Sequence, residues 1–331
     1  MLKVEIADAL SKVGTAYDIA EKINYKQVLT SEEKEIGNIC DAWIKEVATK
    51  GDPEKQIAAF VQKTIQEELY ETPDELLDML FDRGTVGEFD DYQVLRTPKN
   101  TLISHEAAKG GTVDRSWIDF SVLLSPTVKN RQIETDISYA EMRKNGFKSV
   151  ASLVTFATEA LQNALFYDVF NAVDAAITGG EQAISESTAA PTQTSMDALS
   201  LYLNDRDPQN GVAVTLTKYA QAIMRMEGYS SYLSDSMKNE FNRYGLAQFF
   251  DGIRIASISG AKRTGQNSLL IPDKKIFGIA GKIGTLDMKG NVNVYEDFDN
   301  SNDLLVIRVK DFTYSYAITN IDNACKITMA K

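Results

Sequence analysis

The chain has 331 residues, with 35 Lys and Arg against 47 Asp and Glu, a formal net charge of -12. Its 44% hydrophobic and 25% charged content is that of an ordinary globular protein of about two domains, long enough to bury a core. Two cysteines exclude a disulfide scaffold, one histidine (His105) excludes any site that needs two imidazoles, and the acidic balance argues against gripping phosphates through overall charge.

The charge is uneven. Met1 to Asp91 carries 21 acidic and 10 basic residues, whereas Tyr92 to Lys331 carries 26 and 25. The acid excess therefore belongs to the first quarter, which reads as a separately behaving segment. The start, MLKVEIADALSKV, has Glu5 and Asp8 among its apolar residues and does not read as a signal peptide. Cys40 and Cys325 have no CxxC spacing and read as two buried thiols of a cytoplasmic protein.

The acidic segment predicts helices. Ile36, Ile39, Cys40, Trp43, Ile44 and Val47 form one apolar stripe, and Thr30 with Glu33 has the spacing of a capping box. Asp52-Pro53 predicts the start of a second helix through Ile57, Val61, Ile65 and Leu69. Thr72-Pro73 with Glu75 predicts a third, ended by Gly84. From Tyr92 to Tyr139 the pattern is extended, with Lys109-Gly110-Gly111-Thr112 as a hairpin turn. This hairpin has too small an apolar face to stand alone, so it is expected to lie on something else, such as another subunit.

Val150 to Thr178 contains neither Gly nor Pro and predicts a long helix stopped by Gly179-Gly180. The wider stretch Phe147 to Thr178 is interrupted by Lys148, Glu159, Asp168 and Asp174, too often for a membrane span. EQAISESTAAPTQTS then reads as a loop or linker. Helices are predicted at MDALSLYLN, at KYAQAIMRME with Thr217 as its cap, and at SDSMKNEFNRY; strands are predicted at GVAVTL and GIRIASI. The tail reads as strands KIFGIAGKI, NVNVYED, LLVIRVKDF and TYSYAITNI, with Lys289-Gly290-Asn291 as a turn. The fold class is α+β.

No motif for chemistry is complete. Gly260 to Gly265 has the glycine spacing of a phosphate loop, but Gln266 and Asn267 stand where Lys and Ser or Thr are required. Asp297, Asp299, Ser301 and Asp303 resemble half of a calcium loop, with Arg308 where a bidentate Glu should sit. There is no GxSxG, and the pairs Asp90-Asp91 and Asp205-Asp207 read as solvated turns. The reading is no catalytic residue, no cofactor and no metal.

The order of elements resembles that of a known family. The stretch GGTVDRSWIDFSV, then RQIETDISYAEMRKNGFKSVASLVTFATEAL, resembles a hairpin-to-spine transition. IPDKKIFGIAGKIGTLDMKGNVNVYED and VIRVKDFTYSYAITNID resemble the return strands. Over about Thr85 to Ile327 the chain resembles the major capsid proteins of tailed bacteriophages, with the Hong Kong 97 fold.

The resemblance implies five segments: an acidic helical arm (1–84), an extended hairpin loop (85–140), a spine helix and linker of a peripheral domain (141–198), an axial domain (199–265), and return strands of the peripheral domain (266–331). It implies inter-subunit contacts at Trp43 in the arm, at Lys109, Gly110, Gly111, Arg115 and Trp117 in the hairpin, and at the Lys262-Arg263 loop. The implied role is a structural one, an icosahedral virion shell of hexamers and pentamers enclosing double-stranded DNA without sequence-specific binding. Scaffold, portal and decoration proteins are the implied further partners, with assembly in the host cytoplasm and no membrane. Some members of the family crosslink the loop tip; Lys109 is the lysine near the turn, and a solvated turn residue is the preferred reading for it. Two other readings stay open: a nanocompartment shell that encloses cargo enzymes, and a carboxylate-based hydrolase.

Overall fold

The structure, a computed structural model, describes residues 16–49, 53–71, 74–87, 90–92, 94–95, 102, 123–207, 211–226, 249–259, 269–299 and 304–330. It opens with α1 (Ala16–Asn24), α2 (Ser31–Val47) and α3 (Pro53–Gln66). The capping box forms: the Thr30 hydroxyl accepts the Glu33 N–H at 3.2 Å, and the Glu33 carboxylate accepts the Thr30 N–H at 2.8 Å. The stripe Ile36, Cys40, Trp43, Ile44 and Val47 is buried. α3 runs on into a π turn, Glu67–Glu71, which carries Leu69 into the core.

The next helix, α4 (Glu75–Leu80), departs from expectation at both ends. Asp74 is its cap, accepting the N–H groups of Leu76 and Leu77 at 3.0 Å, while Thr72 and Pro73 lie outside the described residues. Gly84 does not end it. Phe81 already starts strand β1 (Phe81–Val86), which is drawn into a parallel ladder, so Gly84 is a mid-strand residue.

Further strands are β2 (Val94–Leu95), β3 (Leu123–Leu124) and β4 (Thr127–Ser138). The helices α5 (Tyr139–Asn145) and α6 (Phe147–Ala176) come next, then β5 (Ala183–Glu186), α7 (Gln193–Asn204), β6 (Gly211–Leu216) and α8 (Thr217–Met224). The remaining strands are β7 (Phe249–Phe250), β8 (Ile253–Ile258), β9 (Lys275–Ala280), β10 (Gly284–Lys289), β11 (Asn293–Asp299), β12 (Leu304–Ile318) and β13 (Ala324–Met329).

The first sheet is built around β12. β4 pairs along one side of it, while β11 and β10 share the other side end to end, and β1 lies beyond β10. The two strands expected at LLVIRVKDF and TYSYAITNI (304–321) are one strand, β12, with a bulge. Its register shifts between Val309 and Phe312, and Asp311 takes a φ of 64°. The extra residue keeps Leu305, Ile307, Val309, Phe312 and Tyr314 all pointing into the core, each 0% exposed. Of the expected loop 85–140, Thr127–Ser138 belongs to this sheet, while β2 and β3 pair separately and antiparallel, Val94 with Leu124 and Leu95 with Leu123.

The second sheet has the order β5-β13-β9-β6-β8-β7. The segment 266–331, expected as one set of return strands, is therefore split: β9 and β13 enter this sheet, and β10 to β12 enter the first. β9 is buried on both faces, from Ile276 to Ala280, which suits a central strand rather than a half-exposed one. The linker expected after α6 contains β5, parallel to β13, and a second capping box between Thr192 and Ser195. Thr217 is the first residue of α8, not its cap, and its hydroxyl donates to the Ile258 carbonyl at 3.1 Å.

Helix α6 joins the layers. Its 30 residues extend about 45 Å at 1.5 Å per residue. It packs on α1, α2, α3, α5, β4 and β12, and Phe170 meets Phe277 of β9 with centroids 5.7 Å apart. The arm helices, α6 and both sheets share one hydrophobic core.

Candidate assembly surfaces

The arm is pinned to α6 by polar contacts at both ends. Asp41 of α2 accepts the backbone N–H of Phe147 at 3.1 Å and the Lys45 ammonium at 2.7 Å. Arg143 of α5 donates to the Ala48 carbonyl at 3.1 Å. At the other end, the Ser152 hydroxyl donates to Asn24 at 3.0 Å, and the Tyr25 hydroxyl donates to Glu159. Lys22 and Glu33 tie α1 to α2 at 2.6 Å.

Trp43, expected at a neighbouring subunit, is a correction. It is 8% exposed, and its ring is tilted against Phe60 with centroids 5.6 Å apart. Its apolar surface is spent inside the chain because the stripe of α2 faces the chain's own α6. The described helices of the acidic segment accordingly share the common core. Lys109, Gly110, Gly111, Arg115, Trp117, Lys262 and Arg263 lie outside the described residues, as do His105 and the helix expected at 234–244.

Two partly buried anchors hold α6 between the sheets. Asp168 accepts the Arg131 guanidinium of β4 at 2.5 Å and the Tyr314 hydroxyl of β12 at 2.6 Å. Hydrogen bonds to Asp168 and Tyr314 push the Arg131 guanidinium up, and burial pushes the Tyr314 hydroxyl up, so both remain protonated. Six residues further on, Asp174 accepts from Lys275 of β9 and from Lys326 of β13, the latter at 2.8 Å. Burial alone would raise the Asp174 carboxyl; the two lysine hydrogen bonds outweigh it and hold the group below its ordinary value.

Among the described residues, several large apolar side chains are exposed at separate places. Tyr25, Val28 and Phe156 are 48%, 91% and 56% exposed where α1 ends against α6. Leu201 of α7 and Phe249 of β7 are exposed, near the contact that the Ser200 hydroxyl makes with Asp251 at 2.7 Å. Val128 and Tyr295 are exposed on the first sheet. Among the described residues there is no group of three or more metal-ligating side chains. Burial pushes the Cys40 thiol up to about 11 and the Cys325 thiol up to about 12, which makes both poor nucleophiles at neutral pH.

No protein-family model matches the chain, and no curated protein matches it. Solved structures do. The capsid of an empty GTA particle superposes with a TM-score of 0.54 at 12% identity, over 77% of this chain and 89% of that one. The mature capsid of bacteriophage PhiM1 gives 0.52 at 11% identity, over 75% and 86%. A chain from the satellite phage P4 procapsid with its size-determination protein gives 0.51 at 12%, over 91% and 98%. This is the Hong Kong 97-type capsid fold.

Within this Hong Kong 97-type chain, sequence reading missed the residues that fix the long helix: Asp41, Asp168 and Asp174. Asp168 and Asp174 were visible as charges inside an apolar helix, six residues apart. Charges retained in such a place signal partners from other elements. Asp41 carried no local signal, because the helix it caps begins 106 positions later.

Proposed function

We propose that the chain is a shell-forming capsid protein, many copies of which associate as hexamers and pentamers into an icosahedral container for a double-stranded DNA phage genome. The observation that carries this reading is the fold, matched over most of its length by three capsid structures. The scattered exposed patches support it. A closed shell needs several modest contacts pointing in different directions, whereas a simple dimer needs one large face.

In this reading the hairpin that leaves the first sheet through β2 and β3 reaches across a neighbour, with Lys109, Gly110, Gly111, Arg115 and Trp117 toward its end. The arm contributes through Tyr25 and Val28. The second sheet with α7 and α8 forms the axial part, to which the Lys262-Arg263 loop belongs, and the first sheet with α6 forms the peripheral part. Scaffold, portal and decoration proteins are the further partners, and the virion capsid is the location. No described helix is long and apolar enough to cross a membrane. The near balance of charge from Tyr92 onward suits a wall that leaves packed DNA free to move, since a strongly basic wall would hold it. No residue is given a catalytic role.

Electron microscopy of the purified full chain tests the reading. Closed particles or capsomer rings are expected; a protein that stays monomeric at high concentration overturns it and favours the hydrolase alternative.

A further inference from the structure

The first sheet ends on a long open edge. β4 pairs with β12 along one side, and among the described residues no backbone hydrogen bond is made from its other side. Its 12 residues extend about 40 Å. Thr127–Ser138 holds neither Pro nor Gly, and the bulge of this pair lies in β12, so these usual interruptions of an exposed edge are absent from it. Of its two cations, Arg131 is tied inside to Asp168.

Side chains of β4 alternate between the two faces of the sheet. Val128, Asn130, Gln132, Glu134 and Asp136 are exposed, while Arg131, Ile133 and Ile137 stand opposite the inward residues Phe312, Val309 and Leu305. A copy of the strand related by a two-fold normal to the sheet keeps those faces, so the axis passes through a residue and not between two. An axis at Arg131 sets that cation against its own copy, and one at Asn130 sets it against Lys129. At Glu134 the carboxylate meets its own copy, and at Thr135 it meets Asp136. Like charges directly opposite destabilise a ladder, which leaves Gln132 and Ile133 near the middle of the strand. With the axis at Gln132, the Asn130 amide faces the Glu134 carboxylate. With the axis at Ile133, Gln132 faces Glu134 and Asn130 faces Asp136. In both registers amide donors stand opposite carboxylate acceptors, and the strand is complementary to itself.

We propose that β4 pairs antiparallel with β4 of a second copy, about a two-fold axis at Gln132 or Ile133, and joins two first sheets into one. The proposal rests on the shell reading for its setting, because an icosahedral shell presents two-fold contacts between subunits. Main-chain hydrogen bonds supply the attachment, and the charge pattern supplies the register.

The test uses the full chain with Gln132→Cys, an exposed position, under oxidised glutathione and separately with a short bismaleimide. An axis at Gln132 brings the two Cα atoms to about 4.5–5.5 Å, and most chains are expected as a disulfide-linked dimer. An axis at Ile133 makes the two thiols diagonal neighbours, about 7–8 Å apart, which the bismaleimide joins and a disulfide does not. Val128→Cys is the control, because its two copies stand about 25–35 Å apart along the pair and stay unjoined. Cys40 and Cys325 are buried, so the wild type stays unjoined as well. Thiols at position 132 that join by neither route overturn the proposal, and so does a Val128→Cys chain that joins as readily. Electron microscopy of the same samples separates the pairing from the shell reading. Particles whose chains stay unjoined at 132 overturn the strand pair and leave the shell. Joined dimers that never form particles keep the pair and overturn the shell.

Discussion

Asp41 and Gly146 are matched to each other. Gly146 has a φ of 53°, and a Cβ there would collide with the Asp41 carboxylate, which reaches past it to accept the Phe147 N–H at 3.1 Å. The start of the long helix is thus capped by a residue of the arm, through room that only glycine leaves.

Asp41→Ala is expected to cost about 1–2 kcal/mol, the usual loss of a helix N-cap, read as a fall in thermal stability. Asp41→Asn keeps an acceptor and loses mainly the exposed pairing with Lys45, so it should cost only about 0.5 kcal/mol. Equal effects from the two variants would show that the cap bond is not what Asp41 supplies.

Gly146→Ala meets both an unfavourable φ and the Asp41 carboxylate, and is expected to cost more than about 1 kcal/mol. In the double variant with Asp41→Ala the collision disappears. The combined loss should therefore fall short of the sum, and strict additivity would contradict the matched pair.

Trp43→Ala removes a buried ring from the common core and should destabilise the subunit by about 3–5 kcal/mol. Phe156→Glu changes an exposed residue and should leave subunit stability within about 0.5 kcal/mol while lowering the yield of particles. Comparing unfolding of dissociated subunits with particle counts by electron microscopy separates the two. A Trp43→Ala subunit of normal stability that fails to assemble would restore Trp43 as an inter-subunit contact.

Asp168→Ala strands the Arg131 guanidinium and the Tyr314 hydroxyl together. Because Arg131 is 38% exposed, water takes back part of its loss, and about 2 kcal/mol is expected. Asp168→Asn keeps an acceptor for Tyr314 and should be milder. Denaturant unfolding of both variants provides the measurement.

Glu186 accepts from the Thr192 hydroxyl, chiefly, and from the Ser187 and Thr188 N–H groups, which hold its carboxyl down to about 2 against an ordinary 4.5. A carboxyl lowered by folding stabilises the folded state above its unfolded value and loses that contribution as the acid form takes over. Stability due to Glu186 should therefore fall between about pH 4.5 and pH 2, and Glu186→Gln should flatten that part of the acid-unfolding curve.

Sequence alone determined the elements whose signals are local. The Thr30–Glu33 box, the stripe of α2, the long uninterrupted α6 and the alternating strands of the tail each depend on neighbours within a few residues, and each formed. The order of elements along the chain also resembled that of the capsid fold. Tertiary structure decided whatever depends on partners far away in the chain. It turned Phe81–Val86 into a strand because β10 offered a parallel edge, split 266–331 between two sheets, and buried Trp43 against the chain's own long helix. It also chose the partners of Asp41, Asp168 and Asp174, where a carboxylate's role comes from donors that only folding places beside it.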